Sequence, residues 1–277
     1  GEGFIKITGE VGTGKTILCR KFLACLSAPE ENFFTAYIPN PMLEPMGLLL
    51  ALAEELSVPL PEPLLQHSLF KEINRRLLQL AVQGKRVVLC IDEAQAMPVV
   101  TLEALRLLTN LETEKRKLLQ IVLFGQPELD AKLNLQEIRQ LAQRITFQYQ
   151  LQGLDLPQLH AYLAHRLQVA GYQREIALFA PPAVELLQQA SAGVPRLVNI
   201  LAHKSLMASF GSGLAQVGKA QMLAACRDTP AARGVGSLWA RIKQRLRLWR
   251  SAPVGLVGLL CVLPIACIEL LARGGLS

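Results

Sequence analysis

The chain has 277 residues, of which 51% are hydrophobic, 18% are charged and 5% are aromatic. This length suits one large or two modest domains with a substantial core, and the composition excludes a disordered or fibrous protein. The six cysteines form no CxxC pair and the four histidines show no metal-ligand spacing. The sequence therefore indicates neither a disulfide scaffold nor a zinc site, and we interpret the cysteines mostly as small core residues of a reducing compartment.

The net charge of +7 is concentrated near the carboxyl terminus. Residues 1–229 contain 22 Lys and Arg against 21 Asp and Glu, whereas residues 230–250 contain six basic residues and no acidic one. The excess positive charge therefore does not indicate a general nucleic-acid-binding face. The chain starts at Gly1 and enters a strand-like run almost at once, so we expect it to be part of a longer protein.

Short apolar runs alternate with longer helical patterns over the first two hundred residues, which is typical of an α/β fold with a mostly parallel sheet. Strands are predicted at residues 4–8, 35–38, 86–91, 120–124 and 145–150. Helices are predicted between them at residues 15–26, 43–56, 67–83, 98–114 and 134–143. Later helices are predicted at residues 155–171, 182–191, 194–210 and 216–226, without further strands. We therefore expect a sheet domain over 1–153, a helical domain over 154–227 and a basic linker over 228–251.

The carboxyl-terminal residues predict attachment to a membrane. Residues 252–272 carry one charge, on Glu269, and 21 residues are about the length that crosses a bilayer as a helix. The preceding residues 238–250 are amphipathic, with basic residues outside an apolar arc of leucine, isoleucine and tryptophan. A basic flank before an apolar span places the sheet domain in the cytoplasm. A helix packed against the soluble domain is the alternative, because Pro264 and Glu269 are unusual in a span.

The strongest motif is GEVGTGKT at residues 9–16, which matches GxxxxGK[ST] between a predicted strand and a predicted helix. Its glycines let backbone N–H groups converge on phosphate oxygens, and the helix start adds positive partial charge. Lys15 is the candidate contact of the β- and γ-phosphates of ATP, and the Thr16 hydroxyl is a candidate ligand of Mg²⁺. A plain glycine-rich turn is the structural alternative. The candidate nucleotide-binding residues are Gly9, Glu10, Val11, Gly12, Thr13, Gly14, Lys15 and Thr16.

A second motif is the apolar run at residues 87–91, which ends in Asp92 and Glu93. An inner parallel strand would deliver both carboxylates to the phosphate site. Asp92 is the second candidate ligand of Mg²⁺, and Glu93 is the candidate base that orients and deprotonates the attacking water. Such a run is common by itself, and its place 77 residues after Lys15 in the same α/β pattern supports the functional interpretation. Asn40, after the second strand, is a candidate partner that holds Glu93 inactive.

Three further polar residues give weaker signals. Gln126 follows the strand at 120–124 and is either a contact of the γ-phosphate or a turn residue. Arg144 precedes the fifth strand and is either an arginine finger toward a neighbouring subunit, with Arg139 as its substitute, or a surface arginine. Arg196 opens a helix of the second domain and is either a contact of the γ-phosphate or a solvated residue of the helix start.

Six strings of the sequence resemble the ExeA/MshM family of AAA+ ATPases, which serve general secretion and the biogenesis of mannose-sensitive haemagglutinin type IV pili. These strings are GFIKITGEVGTGKT, TAYIPNP, VVLCIDEAQ, LRLLTNLET, IVLFGQPEL and GVPRLVNIL. The resemblance covers residues 1–227 and implies a P-loop sheet domain, a helical lid, ATP hydrolysis and a homo-oligomer. It matches residues 9–16 to the phosphate loop, Asp92 and Glu93 to the second acidic motif, and Gln126, Arg144 and Arg196 to the sensor-1, finger and sensor-2 positions.

The sequence departs from this family at both ends. We expect the family's opening segment, which helps to enclose the adenine, to be missing from this sequence. We also expect the extracytoplasmic domain to be reduced to a few residues past Ala272.

Together these features predict an ATPase that is tethered to the bacterial inner membrane, faces the cytoplasm and helps to assemble a pilus or a secretion machine with inner-membrane components. Two alternatives stay open. A DNA-associated helper ATPase of the transposition type has a similar core, but the near-neutral charge of residues 1–229 and the apolar tail argue against it, so a nucleic-acid partner is not expected. A nucleotide-gated scaffold without turnover is the other alternative, and the intact pair of Asp92 and Glu93 argues against it.

Overall fold

The structure, a computed structural model of the chain, describes residues 3–28, 31–108, 111–113, 116–173 and 176–232. Its contacts divide the chain into two compact units. The first unit contains Gly1–Leu154 together with the short segment Val194–Arg196. Of the residues that the structure describes, the second unit contains those within 155–193 and 197–232.

The first unit is built on a parallel sheet. Its five strands are β1 (Phe4–Gly9), β2 (Phe33–Ile38), β3 (Arg86–Ile91), β6 (Leu119–Gly125) and β7 (Ile145–Leu151), while β4 (Glu112–Thr113) and β5 (Arg116–Lys117) form a separate antiparallel hairpin. The five strands lie in the order β2-β3-β6-β1-β7, and all four neighbouring pairs are parallel. The inner strand β3 is buried from Val87 to Ile91, as expected for a parallel strand that is covered on both faces.

Helices cover both faces of this sheet. One face packs against α1 (Lys15–Leu26), where Cys19 lies among Val88 and Cys90 of β3 and two apolar residues of β6. The other face packs against α2 (Pro45–Glu55), α3 (Gln66–Val82), α4 (Val99–Leu108), α5 (Glu128–Leu133) and α6 (Arg139–Ala142). Successive residues of β3 alternate between the two faces, because side chains of a strand point to opposite sides in turn.

Local sequence explains how these helices are placed. The buried residues Leu69, Ile73, Leu77 and Leu80 recur along α3 at helical spacing, so α3 buries a single stripe against the sheet. Helix α2 begins at Pro45, where the missing N–H of proline has no helical partner to lose.

The second unit is helical. It contains α7 (Leu156–Val169), α8 (Pro181–Ser191), α9 (Pro195–Gly211) and α10 (Lys219–Arg227), and α9 crosses the boundary of the two units at its first two residues. Asp155 caps α7, because its carboxylate accepts the backbone N–H of Gln158 at 2.8 Å in a reciprocal capping box. Helix α8 packs against α7 and α10. Its buried residues are mostly small or branched, such as Ala183, Val184 and Leu187.

Each of the five strands predicted from the sequence lies inside an observed strand. Two helix predictions in the first unit were wrong in extent. The predicted helix at 98–114 ends at Leu108, and the hairpin of β4 and β5 follows it. The hairpin is closed by Leu118, which donates its N–H to the carbonyl of Leu111, and both leucines are buried. The predicted helix at 134–143 is a short 3₁₀ turn followed by α6, and the sequence prediction missed α5, which begins directly after Pro127.

Within the described residues, no helix is both long enough and apolar enough to cross a membrane. The predicted amphipathic segment at 238–250 and the predicted span at 252–272 lie outside those residues.

The packing of α1 on the sheet predicts which cysteines react with alkylating reagents. Cys19 and Cys90 are fully buried against each other, whereas Cys25 is exposed on α1. A hydrogen bond with Cys19 and burial both raise the pKa of the Cys90 thiol, which removes its reactive thiolate. We expect iodoacetamide to modify Cys25 more than about tenfold faster than Cys19 or Cys90 in the native chain, as measured by mass spectrometry of timed samples. In guanidinium all three should react alike, and rapid native labelling of Cys90 would contradict this packing.

Candidate active site

The candidate residues gather at the carboxyl ends of three neighbouring strands. Thr8 of β1 pairs with Gly125 of β6, and Ile91 of β3 pairs with Leu123 of β6. Because the strands are parallel and in this register, the segments that follow them leave the sheet at one edge. This edge therefore holds the loop at residues 9–16, the carboxylates of residues 92–93 and Gln126.

The loop between β1 and α1 has the backbone form of a phosphate-binding loop. Gly12 has φ of 85° and Gly14 has φ of 95°, a left-handed conformation that residues with a Cβ rarely adopt. Gly14 is also the N-cap of α1, which has neither a side-chain cap nor an acidic residue in its first turn. The first N–H groups of α1 and its positive dipole end are therefore available to an anion. The loop is closed internally by Thr13, whose hydroxyl donates to the Glu10 carbonyl at 2.8 Å.

Lys15 lies inside this loop and is only 5% exposed. Its ammonium donates to the Gly9 carbonyl at 2.8 Å and to the Glu10 carbonyl at 3.0 Å. Burial lowers the pKa of Lys15 below the usual value of a lysine, while the carboxylates of Glu93 and Asp92 act in the opposite direction. A phosphate oxygen is a stronger acceptor for an ammonium than a neutral carbonyl, so the position favours a phosphate ligand.

The two carboxylates at the end of β3 have different surroundings. Asp92 is 2% exposed, and its carboxylate accepts the backbone N–H of Glu93 at 2.9 Å. Glu93 itself adopts a left-handed conformation with φ of 51° and ψ of 36°, a strain of about 1–3 kcal/mol in a residue with a side chain. This turn follows directly on the end of the strand. The carboxylate of Asp92 and the hydroxyl of Thr16 are hard oxygen donors of the kind that Mg²⁺ prefers.

The carboxylate of Glu93 is held by two glutamine amides. Gln126 donates from Nε2 to Oε2 of Glu93 at 3.1 Å, and Nε2 of Gln95 donates to the same oxygen. Gln95 also accepts the backbone N–H of Gln126 at 2.9 Å through Oε1. Asn40, the partner suggested by the sequence, instead accepts the N–H of Met42 at 3.4 Å, and the described residues show no hydrogen bond from it to Glu93.

Two residues of the site, Gln95 and Lys132, were not predicted from the sequence. Gln95 is two residues after Glu93 in the string DEAQ, and this proximity was the only signal that the sequence offered. Lys132 of α5 donates to the carbonyls of Gln95 at 2.6 Å and Met97 at 2.7 Å, and thereby holds the 3₁₀ turn that follows Glu93. No short-range pattern connects Lys132 with a turn that is 37 residues away.

The arginines are placed differently. Arg144 lies just before β7, whose first residue pairs with Phe4 at the start of β1, so it is at the opposite end of the sheet from the loop. Six residues of β1 separate the two ends by roughly 20 Å. The guanidinium of Arg144 donates to the Arg106 carbonyl of α4 at 3.3 Å, and Arg139 is exposed at the start of α6. Arg196, in the segment grouped with the first unit, donates its backbone N–H to the Gly12 carbonyl at 3.2 Å, and its side chain is exposed.

Comparisons with known proteins agree with this geometry. Residues 1–133 match the family described as an AAA domain. Over 213 residues, or 77% of the chain, the sequence is 46% identical to general secretion pathway protein A of Aeromonas hydrophila. The chain belongs to the AAA+ family of general secretion pathway protein A. It spans 38% of the length of that relative.

Solved structures show the same fold at low sequence identity. The ORC2 protein of Aeropyrum pernix, in ADPNP–ADP complexes, has a TM-score of 0.58 and 16% identity over 86% of this chain and 64% of its own. The RuvB Holliday junction branch migration motor of Thermotoga maritima has a TM-score of 0.55 and 16% identity over 95% of this chain and 74% of its own. The chain therefore has the α/β fold of P-loop NTPases, with a five-stranded parallel sheet between helices.

The position of Lys15 predicts the effect of removing its charge. We expect Lys15→Ala to weaken ATP binding by about 100-fold or more, because the charge-assisted hydrogen bonds at the phosphates are lost and no other buried ammonium lies in the described part of the loop. Isothermal calorimetry measures the affinity, and circular dichroism checks that the fold is retained.

The matched control is Lys21→Ala, which removes an exposed lysine from the same helix and should leave the affinity unchanged. Wild-type affinity in Lys15→Ala would show that the loop at residues 9–16 does not hold the nucleotide.

Proposed function

We propose that the chain hydrolyses ATP with Mg²⁺ and uses the resulting motions to help assemble a type IV pilus or a general secretion machine at the bacterial inner membrane. The single observation that supports turnover most strongly is the carboxylate of Glu93, held by two amides at the same sheet edge as the loop of Lys15. Membership of the AAA+ family supports the choice of a nucleoside triphosphate.

Different residues of the site bind the nucleotide and transfer the proton. The loop N–H groups and Lys15 bind the phosphates of ATP, and Thr16 with Asp92 would hold Mg²⁺. Bound Mg²⁺ supplies positive charge that offsets the negative charge of the phosphate oxygens. Glu93 accepts a proton from a water molecule as the oxygen of that water bonds to the γ-phosphorus and the bond to ADP breaks. The products are ADP and inorganic phosphate.

The remaining polar residues are proposed to respond to the γ-phosphate. Gln126 donates one amide hydrogen to Glu93 and has a second one that can contact the γ-phosphate. It can therefore couple the presence of this phosphate to the position of the base. Arg196 is anchored through its backbone to Gly12 of the loop. Arg144, or Arg139 in its place, is proposed to act on the nucleotide of a neighbouring subunit, because Arg144 is at the far end of its own sheet. The active form is therefore proposed to be a homo-oligomer.

The cellular role is proposed from the relative and from the tail of the sequence. The relative that is 46% identical is a general secretion pathway protein, which supports work on a secretion or pilus machine. The apolar run at 252–272 and its basic flank support a tether to the inner membrane with the ATPase unit in the cytoplasm. Inner-membrane components of such a machine are the proposed partners.

Replacing Glu93 separates binding from chemistry. We expect Glu93→Gln to bind ATP and Mg²⁺ normally but to hydrolyse ATP about 100-fold or more slowly, because an amide cannot accept the proton of the attacking water. Phosphate release and calorimetry measure the two properties on the same preparation.

The control for this substitution is Glu54→Gln, which changes an exposed glutamate of α2 in the same way. A wild-type rate in Glu93→Gln would mean that another group is the base. A wild-type chain that binds ATP without turnover would instead support the nucleotide-gated scaffold.

The tail can be tested by extraction of membranes. We expect the full chain to stay with membranes through high salt and alkaline carbonate, because burial of the apolar run at 252–272 outweighs the cost of one carboxylate near the interface. A chain that ends at Ala232 should be soluble, and it keeps Thr229, whose hydroxyl donates to Ala225 of α10. Release of the full chain by carbonate would support the alternative of a tail packed on the soluble domain.

A further inference from the structure

Gln95 lies beside the proposed base and has no role in the reaction described so far. We propose that Gln95 is a positioning residue that fixes the orientation of the Glu93 carboxylate for hydrolysis. This inference rests on the proposed function, because it concerns the same base and the same reaction.

The side chain of Gln95 bridges the ends of two strands. Its Nε2 donates to Oε2 of Glu93 after β3, and its Oε1 accepts the backbone N–H of Gln126 after β6 at 2.9 Å. A primary amide carries a donor and an acceptor in one plane, so it can make both bonds at once. A carboxylate could keep only the bond to Gln126, and an ammonium could keep only the bond to Glu93.

The backbone that carries Gln95 is itself fixed. Its carbonyl accepts a hydrogen bond from Lys132 at 2.6 Å, and the Met97 carbonyl accepts a second one from the same ammonium at 2.7 Å. The neighbouring Ala94 and Met97 are fully buried in the core of the first unit. The amide of Gln95 is therefore presented from a turn with little freedom to move.

The two amides act on the same oxygen of Glu93. Gln95 and Gln126 both donate to Oε2, and the described residues show no donor on Oε1. Oε1 is thus the oxygen left to accept a proton from water. A glutamate side chain that rotated freely would hold this oxygen toward the water for only part of the time. Gln95 therefore acts on the rate of the chemical step and not on the binding of the nucleotide.

Two substitutions separate the two bonds of Gln95. Gln95→Ala removes both bonds, whereas Gln95→Glu keeps an acceptor for Gln126 and loses the donor to Glu93. We expect both variants of the full chain to lower kcat for ATP by roughly 10–100-fold, with KM changed by less than about threefold. Gln79→Ala, an exposed glutamine of α3, should keep the wild-type kcat. A wild-type kcat in Gln95→Ala would overturn the proposal.

Hydrogen exchange of the chain without nucleotide gives a readout that does not depend on activity. The backbone N–H of Gln126 donates to Oε1 of Gln95, so it should exchange faster in Gln95→Ala and stay protected in Gln95→Glu. Mass spectrometry with peptide fragmentation follows this amide in the full chain. Unchanged exchange in Gln95→Ala would show that the bridge is absent and would overturn the proposal even if the chain had no turnover.

A double-mutant cycle with Glu93→Gln tests whether Gln95 acts through Glu93. In that background Gln95→Ala should lower the remaining rate, followed with radiolabelled ATP, by less than about twofold, because the base that it positions is already lost. An equal loss in both backgrounds would mean that Gln95 acts on another group, and would overturn the proposal. The proposed function fails separately, when the wild-type chain itself releases no phosphate.

Discussion

The register of three parallel strands is the constraint on which the site depends. The pairing of β1 with β6 and of β6 with β3 places the carboxyl ends of these three strands at one edge of the sheet. The chain therefore leaves the sheet at this edge after each of the three strands. The first exit gives the loop with Lys15, the second gives Asp92 and Glu93, and the third gives Gln126. A slip by one residue in either pairing would turn every side chain of a strand to the other face and would separate these groups. The pairing register of the strands therefore specifies the position of the polar site.

Hydrogen bonds within and between the segments that follow these three strands hold the site residues in a fixed arrangement. Lys15 is bound by carbonyls of its own loop, Asp92 holds the backbone of Glu93, and the two glutamines hold the carboxylate of Glu93. The left-handed backbone of Glu93 costs free energy, and the neighbouring bonds keep it in place. Such polar contacts are worth more where solvent is excluded, which is the case for Asp92 and Lys15. These contacts fix the relative positions of the loop, the carboxylates and the glutamines.

Short-range signals in the sequence were sufficient to predict the five strands of the sheet, because each strand is a short, mostly apolar stretch between helical patterns. They were also sufficient to propose residues 9–16 and 92–93, since each group is continuous in the chain. The helix α5 was missed because it is only six residues long, although Pro127 is suited to a helix start. The hairpin of β4 and β5 was missed because the segment looked like a continuation of α4. Gln95 and Lys132 depend on a strained turn and on a contact across 37 residues, which no local pattern encodes.

The position of Arg144 connects the proposed chemistry with assembly. As the bond between the γ-phosphorus and ADP breaks, negative charge builds up on the leaving oxygen of ADP, and an added arginine can stabilise it. Arg144 cannot bring its positive charge to the loop of its own chain, because roughly 20 Å of strand lies between them. Under the proposed function, one chain contains the base and the Mg²⁺ ligands but obtains its finger from a neighbour. Hydrolysis at one site would then depend on the presence and placement of the next subunit, which links ATP turnover to the state of the assembly.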